Sequence, residues 1–243
     1  MIEVDGISKR FKEVVAVDGV SFGASDGRIT GLLGENGAGK STTLRTIATI
    51  LRADSGRVRI DGVDVAGDPA GARRRLGVLP HSIGLYARLT GRENIRYFAE
   101  LNGIGGAELE RRIEALAVTL EISDFIDRRT EGFSHGQKMK IALARALVHD
   151  PRNVVLDEPT NGLDVLATRA LRDVIRRLRD EGRCVLFSSH VMQEVAALCD
   201  EIVVIHGGRL AAQGSPDALR EQTGERDLEE AFVKIITRAE ARA

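Results

Sequence analysis

The sequence has no tryptophan, and aromatic residues make up only 4% of it. That excludes a stacking platform for single-stranded nucleic acid, which needs successive aromatic faces. An excess of either charge is missing too: 35 Lys and Arg stand against 36 Asp and Glu, a formal net charge of −1. A broad basic groove for a polyanion is therefore ruled out, and no nucleic-acid partner is expected. Two cysteines, Cys184 and Cys199, are too few for a disulfide scaffold and lack the C-x-x-C or Cys/His spacing of a zinc site. They read as inert thiols in a reducing compartment. No run of 18 or more apolar residues occurs, and the opening M-I-E-V-D-G has acids where a signal peptide carries bases. A soluble, cytoplasmic chain is expected. Proline is scarce at five, whereas glycine is abundant at 26 and must punctuate a compact fold. The 243 residues suffice for a sizeable core without staples.

Short apolar pieces at 2–4, 14–17 and 20–22, separated by Asp-Gly and Gly, read as β segments. The apolar run 29–33 ends in a glycine-rich turn. After it, 41–51 carries Leu44, Ile47, Ala48 and Leu51 at helical spacing, which gives strand, tight loop, helix. Further strands are expected at 58–60 and 76–79. From about 92 to 120 apolar positions are flanked by charges such as Glu93, Arg96, Glu108 and Arg112, the pattern of an all-helical insert. Ser134 opens another helix. Two strand–helix alternations follow, 154–156 with 165–178 and 184–187 with 191–198, and then a hairpin, 202–205 and 209–212, around Gly207-Gly208. The tail 228–236 is amphipathic, with Leu228, Ala231, Phe232, Ile235 and Ile236 on one face, suited to packing on the parent domain or to docking a partner. Alternating strands and helices predict an α/β fold whose mostly parallel sheet is covered by helices. Ligands in such sheets sit beyond the carboxyl ends of the strands.

The residues able to do chemistry fall at those ends. Strand 29–33 runs into G-E-N-G-A-G-K-S, that is Gly34, Glu35, Asn36, Gly37, Ala38, Gly39, Lys40 and Ser41. This fits the phosphate-loop pattern G-x-x-x-x-G-K-S/T with the required strand before it and helix after it. Gly34 and Gly39 let the backbone bend round a phosphate with its N–H groups inward, and the helix adds its positive N-terminal end. Lys40 supplies a charge to the β and γ phosphates, the Ser41 hydroxyl ligates Mg²⁺, and Thr42 bonds the α phosphate. A second strand, N-V-V-L at 153–156, delivers Asp157 and Glu158 at its carboxyl end. A metal-orienting acid and a base for the attacking water are needed there. Asp157 takes the first role, acting through water, and Glu158 the second. His190, after C-V-L-F-S-S at 184–189, is expected to contact the γ-phosphate and position water. Ser134-His135-Gly136-Gln137 contains Ser-x-x-Gln, a capping box, and its Gly136 leaves the helix end bare enough for an anion. A nucleotide and Mg²⁺ are the expected ligands.

With these motifs in this order, the sequence resembles the ATP-binding subunits of ABC transporters from about residue 2 to 236. The residues that carry the likeness are the phosphate loop 34–41, the signature F-S-H-G-Q-K at 133–138, L-D-E-P-T at 156–160, N-G-L-D at 161–164 and His190. The resemblance implies a P-loop NTPase fold in a single domain. Its ATP-binding core would span about 1–90 and 150–215 and include an antiparallel β subdomain on the N-terminal side; a helical subdomain would span 91–149 and a helical tail 216–243. It implies ATP hydrolysis coupled to transport, with export as the expected direction, through a separate transmembrane permease, this chain being cytoplasmic and peripheral on the cytoplasmic face of the cell membrane. It also implies that a second copy binds head to tail, so that each ATP lies between one phosphate loop and the other copy's Ser134, Gly136 and Gln137. Phe11 would stack on adenine, and Asp164 would couple the two sites.

Three positions depart from the family pattern. Residue 135 is His where the common signature has Gly, and Phe11 replaces a more frequent Tyr, so stacking survives without a hydroxyl. His81, in L-P-H-S at 79–82, occupies the place of a glutamine that touches Mg²⁺ and reports to the membrane subunit. Imidazole offers one hydrogen bond at similar reach, and whether it touches the metal stays open at this level. Tyr86 and 92–101 are the candidate contact surface for the permease. The segments 83–95, 133–137 and 193–200 are similar to the sodium-efflux branch. The alternative, a soluble ABC-type ATPase in translation or DNA repair, is disfavoured by the single phosphate loop and the absence of sustained heptads. A GTPase is disfavoured by the absence of N-K-x-D.

Overall fold

The computed structural model of the chain describes residues 1–241. It opens with the hairpin β1 (Ile2–Phe11) and β2 (Val14–Ala24), followed by β3 (Ile29–Leu33), a tight loop and α1 (Lys40–Ile47). Next come β4 (Ser55–Ile60), β5 (Val63–Asp64), α2 (Pro69–Arg74) and β6 (Leu76–Leu79), then the helices α3 (Gly91–Leu101), α4 (Gly106–Thr119) and α5 (His135–Leu147). The chain then alternates through β7 (Asn153–Asp157), α6 (Val165–Asp180), β8 (Cys184–Ser189), α7 (Met192–Leu198), β9 (Glu201–His206) and β10 (Arg209–Gly214). It closes on α8 (Pro216–Thr223) and α9 (Leu228–Glu240).

The larger sheet has the order β10-β9-β3-β8-β7-β6 and is parallel except for its edge strand β10. Every residue of β3, β7 and β8 is buried. Both faces are covered, which is why these strands read as unbroken apolar runs rather than alternating ones. Successive residues point to opposite faces and enter different cores. Val185 and Phe187 join the helical insert through Ile95, Ile113 and Ile141, while Leu32 and Leu186 join α1 and the antiparallel sheet β2-β1-β4-β5 through Ile47, Ile2 and Val20. The register sets Leu33 beside Ser189 and Asp157 beside Ser188. Whatever follows those residues emerges along one edge of the sheet.

Several boundaries differ from those expected. Segments 14–17 and 20–22 form one strand, because Asp18-Gly19 is a bulge and not a turn: Gly19 has φ +64° and the pairing with β1 shifts there. The first helix spans Lys40–Ile47 and not 41–51; Thr49, at φ +62°, turns the chain away before Leu51. The helical stretch 92–120 is two helices, broken at Gly103 and Gly106, both at positive φ. Helix α2 was not expected, while α8 falls inside the helical tail expected at 216–243; each begins with a cap and a proline in its first turn: Asp68 accepts from Gly71 N–H and Ser215 from Ala218 N–H. The tail helix α9 buries Leu228, Ala231, Ile235 and Ile236 and packs Phe232 on the core, so its apolar face belongs to the parent domain. Both cysteines are buried and free. Cys199 sits so close to β3 that a Cβ on Gly31 would lie 2.5 Å from its Sγ.

Candidate functional site

Residues 34–39 leave β3 and must bend at once between other strands. A Cβ on Gly34 would lie 2.3 Å from the Ile205 carbonyl oxygen, and one on Gly39, at φ +106°, 2.5 Å from that of Ala16. Glycine is thus required at both positions by neighbouring backbone. The loop is braced from below, since Gly208 N–H donates to the Ala38 carbonyl at 3.0 Å and Asp18 N–H to that of Gly208 at 2.8 Å. Glu35, Asn36 and Gly37 are exposed at its outer side. Lys40 is buried and donates to the carbonyls of Gly34 at 2.7 Å and Glu35 at 3.0 Å, which curls its ammonium against the loop. Burial lowers its pKa, while the carboxylates of Glu158, Asp157 and Glu35 work in the other direction.

The neighbouring strand ends bring the acids to the same place. Ser41 Oγ lies 3.3 Å from Asp157 Oδ1, and Ser188 Oγ donates to that same oxygen at 2.7 Å. Ser188 also accepts from Glu158 N–H at 2.9 Å, so one hydroxyl fixes both acids. It lies outside the residues that the motifs single out; its signal is register, because parallel pairing of β7 with β8 puts it beside Asp157. Glu158 has φ +49°, the left-handed region that non-glycine residues seldom occupy. Each of its carboxylate oxygens faces a histidine: His190 Nδ1 is 3.2 Å from Oε1, and His81 Nδ1 is 3.6 Å from Oε2. The first is a hydrogen bond; the second is too long for one. His81 therefore faces the base candidate. Glu194, buried and within segment 193–200 but given no role by the motifs, accepts from Thr160 Oγ1 at 2.5 Å and Ser189 Oγ at 3.1 Å and so fastens the turn after Glu158 to α7.

The signature residues gather elsewhere. Ser134 caps α5 in a complete capping box, accepting from Gln137 N–H at 3.2 Å while its own N–H donates to Gln137 Oε1 at 3.0 Å. A Cβ on Gly136 would meet only ordinary contacts, Ala167 Cβ at 3.8 Å and Leu163 Cδ2 at 3.9 Å. Packing within this chain does not require glycine there. Asp164 caps α6, accepting from Ala167 N–H at 2.8 Å, and the next two residues, Val165 and Leu166, are 70% and 77% exposed. Phe11 stands exposed at the end of β1 with the Lys9 ammonium 5.7 Å from its ring, and the β1–β2 hairpin reaches the phosphate loop through the Ala16 carbonyl beside Gly39. Arg145, buried on α5, stacks 4.4 Å over Phe98 and donates to the carbonyls of Ile83 and Gly84, which holds the loop after His81. Tyr86 and Tyr97 meet edge to face at 5.5 Å on the outer surface of that loop and α3.

Lys40, Ser41, Asp157, Glu158, His190 and His81 thus share one site. Ser134, Gly136 and Gln137 instead lie with the 161–167 turn, and Phe11 stands on its hairpin. The arrangement offers a backbone cradle and an ammonium for phosphate, a hydroxyl with a carboxylate for a hard cation, and a carboxylate held by histidine for a proton.

Residues 17–161 match the family described as ABC transporter. The chain is 42% identical to the ABC transporter ATP-binding protein NatA of Bacillus subtilis, over 98% of this chain and 99% of that protein. It is 36% identical to the Nod factor export ATP-binding protein I of Ralstonia nicotianae, over 90% of this chain and 68% of that protein. A solved structure described as the ATP binding subunit of an ABC transporter superposes with a TM-score of 0.90 at 32% identity, covering 97% of this chain and 99% of that one.

Proposed function

This chain belongs to the ABC transporter family as an ATP-binding, ATP-hydrolysing subunit, and from that premise we propose a role for each residue of its site. The observation that carries the assignment is the meeting of Lys40, Ser41, Asp157, Glu158 and His190 beyond the carboxyl ends of three neighbouring strands, where an α/β sheet keeps its ligand.

The N–H groups of residues 34–39 and the start of α1 hold the phosphates, and Thr42 reaches the α phosphate. Lys40 exchanges its two carbonyl partners for β- and γ-phosphate oxygens, which makes stronger, charge-assisted bonds. The exposed face of Phe11 stacks on adenine. Ser41 and Asp157 present two hard oxygens 3.3 Å apart, a donor set that suits Mg²⁺, a hard cation that prefers oxygen ligands and needs few from the protein. These two residues would hold the ion, Asp157 through water, and the ion when bound neutralises charge on the phosphates. Glu158 takes the proton that the attacking water loses as its oxygen bonds to the γ-phosphorus, while the bond from that phosphorus to the bridging oxygen of the β-phosphate breaks and its electron pair leaves with ADP. His190 holds that carboxylate by Oε1, leaving Oε2 to receive the proton, with His81 beside it.

A second copy completes the site. Gly136, which packing inside the chain does not require, and the exposed pair Val165 and Leu166 beside Asp164 both fit a surface that another copy covers. Ser134, Gly136 and Gln137 of one copy cap the ATP held by the other, and Asp164 lies at the seam and couples the two sites. Among the described residues no helix is long and apolar enough to cross a membrane. Transport runs through a separate transmembrane permease, with this chain peripheral on the cytoplasmic face and docked through Tyr86, Tyr97 and the exposed side of α3. Export is the direction supported by the relative named for Nod factor export. The chain divides into a core of about 1–90 and 150–215, a helical subdomain at 91–149 and a tail at 216–243.

Lys40→Ala tests the assignment. Loss of two charge-assisted bonds at about 1.5 kcal/mol each weakens ATP binding about 100-fold. Calorimetric titration reads the effect, and wild-type affinity in the variant would refute the phosphate-loop role.

A further inference from the structure

The turn from Glu158 to Asp164 is tied to the signature helix by a side chain that the reaction itself does not use. His135, the first residue of α5, lies with Nε2 2.9 Å from the backbone carbonyl oxygen of Asn161. A carbonyl only accepts, so Nε2 carries the proton and the contact fixes the tautomer. The imidazole lies against Gly162, φ +73°, where a Cβ would meet its Cδ2 and Nε2 at 3.4 Å. The first turns of α5 and α6 also approach through Gly136, Leu163 and Ala167. Inside the turn, Asn161 N–H donates to the Glu158 carbonyl at 3.1 Å and Leu163 N–H to that of Thr160 at 3.1 Å. Two hydrogen bonds in series therefore run from the signature helix to the residue assigned as base: His135 to Asn161, and Asn161 to Glu158.

We propose that His135 is a positioning residue that fastens the signature turn to the Glu158 turn of the same copy. The proposal rests on the two-copy reading above, in which Ser134, Gly136 and Gln137 lie on the ATP held by the partner. Engagement of one copy's signature with that ATP then steadies the same copy's base for its own ATP. Each active site is set by the occupancy of the other through a bond that a glycine at position 135 has no side chain to make.

Three proteins test this: wild type, His135→Leu, which keeps bulk and loses the donor, and His135→Gln, which keeps an N–H donor. ATP affinity of the monomer and KM for ATP are expected to be equal in all three. The turnover number is expected to fall about fivefold in the Leu variant, the weight of one net hydrogen bond, and to return to within about twofold in the Gln variant. Amide hydrogen exchange across 159–164 should quicken in the Leu variant alone. A purely structural role would lower the melting temperature of both variants without this split. Wild-type turnover and exchange in His135→Leu, or a Gln variant as slow as the Leu one, overturns the inference. If wild type forms no dimer with ATP, the two-copy reading falls and takes the inference with it; if wild type dimerises and His135→Leu is unaffected, only the inference falls.

Discussion

Ser188→Ala removes a single buried hydroxyl that holds both acids of the site. Its Oγ donates to Asp157 Oδ1 at 2.7 Å and accepts from Glu158 N–H at 2.9 Å, and the residue is fully buried. In the variant the Glu158 amide loses its acceptor, and Asp157 Oδ1 keeps only the longer 3.3 Å contact from Ser41. A lost bond to a charged group and an unsatisfied buried N–H together cost about 2–4 kcal/mol. For a chain of this size that lowers the melting temperature by roughly 4–16 °C. Function should suffer separately. Glu158 holds a left-handed backbone, φ +49°, that its N–H bond supports, so loosening that bond misplaces the carboxylate. A general base contributes about 10²–10⁴-fold, and partial misplacement should lower the turnover number about tenfold. Phosphate release at saturating ATP, paired with thermal unfolding, reads both effects, and ATP affinity measured without Mg²⁺ should be unchanged. A variant with wild-type turnover and wild-type melting temperature would show that the Ser188 bridge does not set the acids.

Phe11→Ala should raise the KM for ATP about tenfold while sparing the turnover number, since stacking on a base is worth about 1–3 kcal/mol and does not change in the transition state; an unchanged KM would remove adenine from that hairpin. Burial raises both thiol pKa values above their ordinary value near 9, that of Cys184 to about 12. The fold thus favours the protonated thiols: their contribution is complete below about pH 9 and is lost as pH climbs from there toward 12. The melting temperature should fall with pH above 9, less steeply in Cys184→Ala, and thiol reagents at pH 8 should label the chain only on unfolding. Parallel pH profiles for the two proteins would contradict this.

The parallel core was legible because burial on both faces writes itself as unbroken apolar runs, and β3 and β6 fall where those runs do. The antiparallel hairpin was less so. Asp18-Gly19 has the composition of a turn, yet pairing along β1 absorbs it as a bulge, and only the partner strand decides between the two. Helices α2 and α8 carried their signal in caps and prolines and not in periodicity, being only 6 and 8 residues long. At the site, the motifs singled out Lys40, Ser41, Asp157, Glu158 and His190, and the fold brings these residues together at neighbouring strand ends. They could not supply Ser188, which acts through strand register, Glu194, which reaches Thr160 and Ser189 from α7, or the bond between His135 and Asn161, which spans 26 residues and exists only after the chain has folded.

Glu158→Gln keeps the size and a hydrogen-bonding oxygen of the side chain and removes only its ability to take a proton, so it isolates the role of Glu158 as the base. Hydrolysis by the ATP-saturated variant should be slower than wild type by at least about 10²-fold, with ATP still bound and the protein held as a dimer. Hydrolysis at the wild-type rate would contradict the assignment of Glu158 as the base.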